Sequence, residues 1–337
     1  MKRIGIICPS EIAFRRFLPA LKEAACFEYA GVAIASKEEF VGATDEILAK
    51  ELAKAQTFVD GYGGKIYEGY KTLIHSTDID AVYLPLPPGL HYKWAKEAID
   101  AGKHILVEKP CTIALETTED LLKDAKGKGL AAHENYMFAF HDQLEAVNEI
   151  VRSGEIGDVR LYRISFGFPM RAQNDFRYNK ALGGGALLDC GGYTLKYASM
   201  LLGPTAQIKY AQSNNIDGFG VDMYGSAALV NNEGVTAQVA FGMDHNYKCE
   251  LEVWGNKGAL YTNRILTAPA GFVPEVVIRK GNEEEKRNLP ADDAFKKSIL
   301  HFCRCIEDKA AREENYNTLL RQAHLVEDFK EMAGLVD

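Results

Sequence analysis

The sequence predicts an α/β protein of two domains, the first built on a doubly wound parallel sheet and the second an α+β domain with an open, mostly antiparallel sheet. Its 337 residues exceed what one hydrophobic core usually organises. Up to about residue 125, continuous apolar runs alternate with helical periodicity, as in parallel strands covered on both faces. After about residue 155, apolar and polar residues alternate, which indicates half-exposed strands. We therefore expect domains at 1–125 and 126–337.

The elements of the first domain alternate between strand and helix, which is the pattern of a Rossmann domain. Strands are expected at 3–7, 29–35, 81–86 and 104–107, and helices around 14–21, 45–56 and 91–101. In the second domain we expect strands at 159–168, 206–213, 224–230, 235–243 and 249–253, and helices at 143–153, 193–202, 295–308 and 316–332. The charged run Glu283–Arg287 is expected to be a solvated loop.

Composition excludes several classes of protein. A net charge of −8, spread along the chain, argues against a nucleic-acid partner. No apolar run reaches the about 20 residues of a membrane span or the roughly 7–15 of a secretory signal, so we expect no membrane partner. Seven scattered cysteines predict reduced thiols and a cytoplasmic location. Without a CxxC pair or an HExxH helix, no metal site is predicted.

Two turns of the first domain are candidates for binding a dinucleotide. The first strand leads into Cys8, Ser10, Glu11 and Ile12, where a glycine fingerprint would let the backbone approach a pyrophosphate, although a plain βα turn fits too. The second strand ends in Ser36-Lys37, where NAD-preferring sites carry an acid. A hydroxyl and a cation suit a 2′-phosphate, so NADP(H) is preferred and NAD(H) is the alternative; a plain polar loop is also open.

Two further segments could carry chemistry. Glu108-Lys109-Pro110 follows the fourth predicted strand, on the edge where parallel sheets bind ligands, and the proline makes an unusual backbone geometry available. Three glycines, 183–185, permit close backbone approach and precede Asp189 and Tyr193, which are four residues apart. Each segment alone fits a turn and a helix equally well.

These pieces together resemble the glucose–fructose oxidoreductase / inositol dehydrogenase / rhizopine catabolism family over essentially the whole chain. The marks are Ala101–Pro110, Ser153–Gly157, Gly183–Asp189 and the pattern Pro87-x-x-x-His91. The resemblance implies a Rossmann domain with Leu84, Pro85 and His91 near the nicotinamide and Glu108 and Lys109 near cofactor and substrate. It also implies an open C-terminal sheet that forms a homodimer or homotetramer.

The resemblance also implies the catalytic residues. In the family the lysine of Glu-Lys-Pro contacts substrate and cofactor, which corresponds to Lys109. The acid/base is commonly a histidine in Asp-x-Gly-x-His, and this chain departs from the pattern with Tyr193. An unperturbed phenol titrates near ~10, and a neighbouring cation lowers that pKa. Tyr193 is then expected to be the proton donor, with Lys109 as the cation.

A narrower likeness is to the NADPH-dependent sugar-nucleotide C-3 ketoreductases, carried by segments 12–20, 134–138, 175–178 and 244–247. It implies reduction of a nucleotide-linked 3-keto-deoxyhexose, with substrate contacts from Asn135, Asp189 and His245. A diphosphate group needs cationic donors, for which Arg171 and Arg177 are candidates, and Arg177 could instead face the cofactor. Two alternatives stay open: an NAD(P)-dependent dehydrogenase of a free sugar or trans-dihydrodiol, and a non-catalytic dinucleotide-sensing regulator.

Overall fold

The computed structural model describes residues 1–40 and 42–335, which form two compact units. The first unit comprises Met1–Asn135 and Phe295–Leu320, and the second comprises Tyr136–Ala294 and the chain from Arg321 onward. The sequence predicted a single division at residue 125. The first unit instead extends to Asn135 and takes in a C-terminal segment, because Asn315 donates to the Ala132 carbonyl (2.6 Å) and Tyr316 donates to the Leu130 carbonyl.

The first unit is built on a parallel sheet of six strands in the order β3-β2-β1-β4-β5-β6. The strands are β1 (Lys2–Ile7), β2 (Phe27–Ile34), β3 (Lys65–Glu68), β4 (Ala81–Leu84), β5 (His104–Val107) and β6 (Ala132–Glu134). This order is that of the doubly wound dinucleotide fold, and the predicted fold class is confirmed. Val82, Leu84 and Ile105 are fully buried, as expected of central strands covered on both faces.

Helices connect these strands. They are α1 (Leu18–Ala24), α2 (Asp45–Tyr62), α3 (Tyr70–Ile74), α4 (His91–Asp100) and α5 (Leu115–Lys128), and the returning segment holds α8 (Ala294–Glu307) and the start of α9 (Lys309–Ala333). A π-helical turn, Ala13–Phe17, precedes α1. Thr44 caps α2 by accepting a hydrogen bond from the Ile47 N–H (3.3 Å), and Gly63 at φ 75° ends it.

The second unit is built on an eight-stranded sheet in the order β14-β13-β12-β11-β7-β10-β9-β8, in which β7 and β10 are the parallel pair. The strands are β7 (Val159–Gly167), β8 (Gln207–Asn214), β9 (Tyr224–Val230), β10 (Thr236–Gly242), β11 (Lys248–Gly255), β12 (Ala259–Asn263), β13 (Glu275–Lys280) and β14 (Glu283–Asn288). Along β10, Ala237, Val239 and Phe241 are buried whereas Gln238 and Ala240 are exposed, as the alternating pattern predicted. Helices α6 (Asp142–Arg152) and α7 (Gly192–Leu202) belong to this unit.

The prediction that Glu283–Arg287 is a solvated loop is wrong, because these residues form the edge strand β14. Charged side chains are common on edge strands, where they discourage pairing with other chains. Arg287 binds the Glu155 carboxylate through two nitrogens (2.8 and 2.7 Å), and Lys280 binds it at 2.9 Å. These hydrogen bonds lower the pKa of Glu155 to about 2. The Ser153–Gly157 motif therefore anchors the β13–β14 hairpin.

Candidate active site

The turn after β1, where a glycine fingerprint would lie, carries Cys8 instead. Cys8 adopts a left-handed φ of 77°, which costs a non-glycine residue about 1–2 kcal/mol. The Ser10 hydroxyl accepts a hydrogen bond from the Ala13 N–H (3.2 Å) where the helical segment begins. Burial raises the pKa of the Cys8 thiol to about 12, so the thiol is neutral beside this turn. Glu11 and Ile12 are exposed there, and Glu11 pairs with Arg15 (2.6 Å).

At the tip of β2, the candidate phosphate-binding cation Lys37 forms an ion pair with Asp45. Lys37 Nζ lies 2.6 Å from Asp45 Oδ1, and the Ser36 hydroxyl donates to Glu38 (2.8 Å). Sequence reasoning missed Glu39, which accepts hydrogen bonds from the N–H groups of Ser36, Tyr70 and Lys71 at 2.7–2.9 Å. Glu39 ties the tip to α3, and no local pattern in the sequence identifies that contact. A phosphate that binds Ser36 and Lys37 would replace the carboxylates of Glu38 and Asp45 as their partners.

His91 bridges two loops at the carboxyl edge of the parallel sheet. Its Nδ1 lies 2.8 Å from the Pro110 carbonyl oxygen and its Nε2 lies 2.7 Å from the Leu86 carbonyl oxygen. The ring is fully buried, and burial lowers its pKa to about 4, while the hydrogen bonds to the two carbonyl oxygens act in the opposite direction. Leu84 and Pro85 are buried at the same edge. His91 therefore braces the loop after β4 against the Lys109–Pro110 peptide, which is cis.

Glu108 and Asn135 lie together at this edge. The Glu108 carboxylate accepts hydrogen bonds from Tyr83 Oη (2.6 Å) and Asn135 Nδ2 (2.7 Å), and desolvation raises its pKa. The Asn135 oxygen in turn accepts a hydrogen bond from Ser298 (2.8 Å). Asn135 is 1% exposed, so its amide holds the carboxylate next to Lys109, and its contact with substrate stays a prediction.

In the second unit, the three glycines approach their own chain closely. A Cβ on Gly184 would overlap the Arg177 carbonyl, and one on Gly185, whose φ is +118°, would overlap the Asp222 carboxylate. Asp222 accepts a hydrogen bond from the Leu187 N–H (2.7 Å), where a π-helical turn, Leu187–Gly191, leads into α7. Burial raises the pKa of Asp222 to about 6. Sequence reasoning missed Asp222, which lies in a loop without a motif and meets the glycines only in the fold.

Asp189 and Arg177 form an ion pair. Arg177 Nε donates to Asp189 Oδ2 at 2.7 Å, and its Nη1 lies 3.1 Å from Asp175 Oδ1. The guanidinium also lies over the Phe176 ring, 4.6 Å from its centroid. The Asp189 side chain is 11% exposed, so Arg177 fixes its orientation. A contact of Arg177 with cofactor or diphosphate stays a prediction.

Tyr193, at the start of α7, has its ring held by three other aromatic rings. The centroids of Tyr136, Phe166 and Phe138 lie 5.0, 5.4 and 5.7 Å from its own, the first two edge-on. Edge-to-face packing of this kind orients a ring without using its hydroxyl. Tyr193 is half-buried. The arrangement fixes the direction of a phenol that can donate a proton.

His245 lies at the same end of the second sheet. Gly167 and Gly242 are paired at the ends of β7 and β10, and a Cβ on Gly242 would meet the His245 ring. His245 Nδ1 lies 2.9 Å from Asp244 Oδ1, and the side chain is 45% exposed. Because Phe166 of β7 contacts Tyr193, His245 and Tyr193 lie near the same strand end, and the role of His245 in substrate binding stays a prediction.

Comparison with protein families identifies both halves of the chain. Residues 3–136 match the oxidoreductase family with an NAD-binding Rossmann fold, and residues 144–261 match the GFO/IDH/MocA C-terminal domain. The chain belongs to the GFO/IDH/MocA oxidoreductase family. The predicted family is thereby confirmed, and with it an oxidoreductase with a dinucleotide-binding fold.

The chain is also similar to individual enzymes over nearly its whole length. It is 38% identical over 343 aligned positions to dTDP-3,4-didehydro-2,6-dideoxy-alpha-D-glucose 3-reductase of Streptomyces violaceoruber, covering 99% of this chain and 96% of that one. The crystal structure of KijD10, a 3-ketoreductase from Actinomadura kijaniata, in complex with NADP and TDP-benzene superimposes with a TM-score of 0.90 at 37% identity, covering 98% and 97% of the two chains. Structures of KijD10 also include a tyrosine-to-phenylalanine and a lysine-to-alanine mutant. The narrower likeness to sugar-nucleotide C-3 ketoreductases is confirmed.

The glycine turn before Tyr193 generates a prediction. Gly185→Ala forces a side chain into the left-handed region and against the Asp222 carboxylate, which displaces that carboxylate from the Leu187 N–H. We expect a loss of more than about 4 kcal/mol in the free energy of unfolding, measured by urea denaturation, and loss of turnover. The control is Gly234→Ala, which has a φ of +80° but no atom within 4 Å, and should lose about 1–2 kcal/mol. Equal losses in the two variants would show that strain alone matters.

Proposed function

We propose that this protein is an NADPH-dependent reductase of a nucleotide-linked 3-keto-deoxyhexose. The observation that carries the proposal is the near full-length similarity to dTDP-sugar 3-reductases, at 38% identity in sequence and a TM-score of 0.90 in structure. The chain also has a lysine, Lys109, shortly after β5 and a tyrosine, Tyr193, at the start of α7. In KijD10 a lysine and a tyrosine are the residues altered in the mutant structures.

Each candidate residue then has a chemical role. When bound, NADPH supplies the hydride that adds to the carbonyl carbon. Tyr193 donates its phenolic proton to the alkoxide that forms, and Lys109 binds the same oxygen and stabilises its developing charge. Asp189, held by Arg177, together with His245 and Asn135, binds hydroxyl groups of the sugar. The aromatic packing of the Tyr193 ring supports this role because it fixes the orientation of the phenol.

A dinucleotide fits the residues of the first unit. The left-handed Cys8 turn and the Ser10 cap precede a helical segment, as a pyrophosphate site requires. Ser36 and Lys37 bind the 2′-phosphate, and Glu11 and Ile12 flank the pyrophosphate. Leu84, Pro85 and His91 shape the nicotinamide side of the sheet edge, next to Glu108 and Lys109. We assign to Arg177 the role of orienting the Asp189 carboxylate, because the two side chains form an ion pair.

The alternatives differ in direction or in chemistry. A dehydrogenase of a free sugar or a trans-dihydrodiol would use the same residues in reverse, and a dinucleotide-sensing regulator would not need Tyr193. Oxidation of NADPH by a dTDP-3-keto-deoxyhexose, compared with reduction of NADP by free sugars and diols, separates the three. Turnover of the free sugar or diol alone would favour the dehydrogenase, and no turnover with tight dinucleotide binding would favour the regulator.

The proton-donor role predicts the effect of removing one hydroxyl. Tyr193→Phe keeps the ring contacts but removes the acid, so we expect turnover to fall about 10²–10⁴-fold with NADPH binding nearly unchanged. Tyr197→Phe is the control, because Tyr197 is one turn further along α7, is 1% exposed and has a hydroxyl without a hydrogen-bond partner among the described residues. Full activity of Tyr193→Phe under conditions where chemistry limits the rate would assign the proton to another group.

The 2′-phosphate site predicts cofactor preference. NADPH should bind roughly ten- to a hundredfold more tightly than NADH, the range for a charge-assisted contact. Lys37→Ala should remove most of this difference by weakening NADPH alone, as measured by fluorescence titration with both cofactors. Lys50→Ala, a similarly exposed lysine paired with Glu46 on α2, should change neither affinity. Equal affinity of the wild type for the two cofactors would contradict the assignment.

We further propose that two copies associate through the outer face of the second sheet, as a homodimer or as half of a homotetramer. That face leaves Trp254 51% and Tyr210 53% exposed. Arg163 and Glu252, paired on neighbouring strands at 3.3 Å, offer both signs of charge to a two-fold partner. Sedimentation equilibrium should show an oligomer for the wild type and a monomer for Trp254→Arg. A monomeric wild type would contradict the proposal.

A cytoplasmic location completes the proposal. All seven cysteines are free thiols in the structure, as expected where thiols are kept reduced. Separately, none of the helices in residues 1–40 and 42–335 is long and apolar enough to cross a membrane. Cell fractionation that recovers the protein outside the cytoplasm would contradict the location.

A further inference from the structure

Two arginines of the second unit differ from the others in how their side chains are held. Arg171 and Arg264 have no hydrogen-bond acceptor or carboxylate partner for the guanidinium among the described residues. The remaining arginines of this unit all have such acceptors, for example Arg160 with Asp158 and Arg279 with Glu284. Arg171 lies over the Phe168 ring (5.3 Å from its centroid) and Arg264 over the Tyr247 ring (4.8 Å). A guanidinium held by an aromatic face keeps its N–H donors available to an external anion.

The backbone that carries Arg264 is strained and firmly held. Arg264 has a φ of 54°, one of three non-glycine residues with positive φ in the described chain. The Gln143 amide, fully buried, donates to the carbonyls of Arg264 (3.4 Å) and Ile265 (3.3 Å). Tyr247 Oη lies 3.0 Å from Thr267 Oγ1, which ties the ring to the same turn. Strain that is over-determined in this way is concentrated at functional sites.

Both arginines follow strands that end at the same edge of the second sheet. Phe166, which contacts Tyr193, lies at this edge too. Gly167, the last residue of β7, pairs with Lys248 at the start of β11, and Asn263, the last residue of β12, pairs with Glu250 two residues along β11. With β11 between them, the ends of β7 and β12 lie roughly 10 Å apart. Phe168 contacts Phe166 (6.0 Å between centroids), and Phe166 contacts Tyr193 (5.4 Å). A substrate with its carbonyl at Tyr193 can therefore extend along this end of the sheet.

We propose that Arg264, seated on Tyr247, binds the diphosphate of the sugar-nucleotide substrate together with Arg171. This inference rests on the proposed function and names the part of the substrate that these residues recognise. Diphosphate oxygens are the acceptors for which a planar guanidinium offers paired donors. Neither arginine has to leave a carboxylate to bind them, so the site is preorganised. The binding energy gained at this remote group positions the ketone for reduction.

The test compares probes that share or lack the diphosphate. Binding of thymidine diphosphate, inorganic pyrophosphate and thymidine to the full chain is measured by calorimetry for the wild type, Arg264→Ala and Arg264→Lys. We expect Arg264→Ala to weaken thymidine diphosphate roughly ten- to a hundredfold, to raise KM and also to lower kcat, because the ketone is then less well positioned. Arg264→Lys keeps the charge and should lose less. Thymidine and NADPH affinities should not change.

Two further variants control for folding and for general charge effects. Arg264→Gly suits the left-handed φ, so its melting temperature should equal or exceed that of the wild type while diphosphate binding is still lost. Arg160→Ala, at the opposite end of β7, should bind thymidine diphosphate normally. Unchanged diphosphate affinity in Arg264→Ala and Arg264→Gly, or equal weakening of thymidine, would overturn the inference and leave the proposed function intact. A wild type that binds no nucleoside diphosphate would overturn the proposed function itself.

Discussion

The candidate chemistry of the second unit depends on one half-buried carboxylate. Asp222 accepts the Leu187 N–H and fills the space beside Gly185, and the helical segment that begins there carries Asp189 and Tyr193. A negative charge at a helix N-terminus is stabilised by the unpaired N–H groups and by the macrodipole. Burial nevertheless raises the pKa of Asp222 to about 6, so these donors offset only part of the cost of desolvation. Glycine is needed at position 185 because any side chain there would separate this carboxylate from the helix. The start of the helix, and with it the position of Tyr193, would then no longer be fixed.

In the first unit, a chain of buried polar groups has a corresponding role. Tyr83 and Asn135 bind Glu108, Ser298 binds Asn135, and His133 lies 2.9 Å from Ser298 and 3.2 Å from Asn315. Buried polar groups are costly unless every member has a partner, so each residue of the chain constrains the next. Ser298 and Asn315 come from α8 and α9. The C-terminal segment belongs to the first unit because it completes this network, which holds the carboxyl neighbour of Lys109.

The sequence predicted what depends on local pattern and failed where contacts are distant. Continuous and alternating apolar runs identified both sheets, but β3 and β6 were missed because they are short and carry polar residues in place of a continuous apolar run. The strand at Glu283–Arg287 was missed because its stability comes from Glu155, more than a hundred residues away in the chain. The turns at Cys8 and Ser36 and the Lys109 motif were singled out by their position after strands, and Tyr193 by the glycines before it and the family resemblance; their roles stay predictions. Glu39, Asp222 and Arg264 were not singled out, because their significance lies in contacts with residues that no local motif links to them.

The protein presents cations to anions in two different ways, with different consequences. At the tip of β2, Lys37 is paired with Asp45, so a 2′-phosphate must displace a carboxylate, and the net gain is what the phosphate contact adds beyond the displaced ion pair. This net gain sets the preference for NADPH over NADH, while the rest of the dinucleotide provides the affinity that both cofactors share. Arg171 and Arg264 rest on aromatic rings, and binding there requires no exchange. This second arrangement gives more binding energy per contact, which suits a diphosphate whose role is to hold a substrate in place for reaction at a distant carbon.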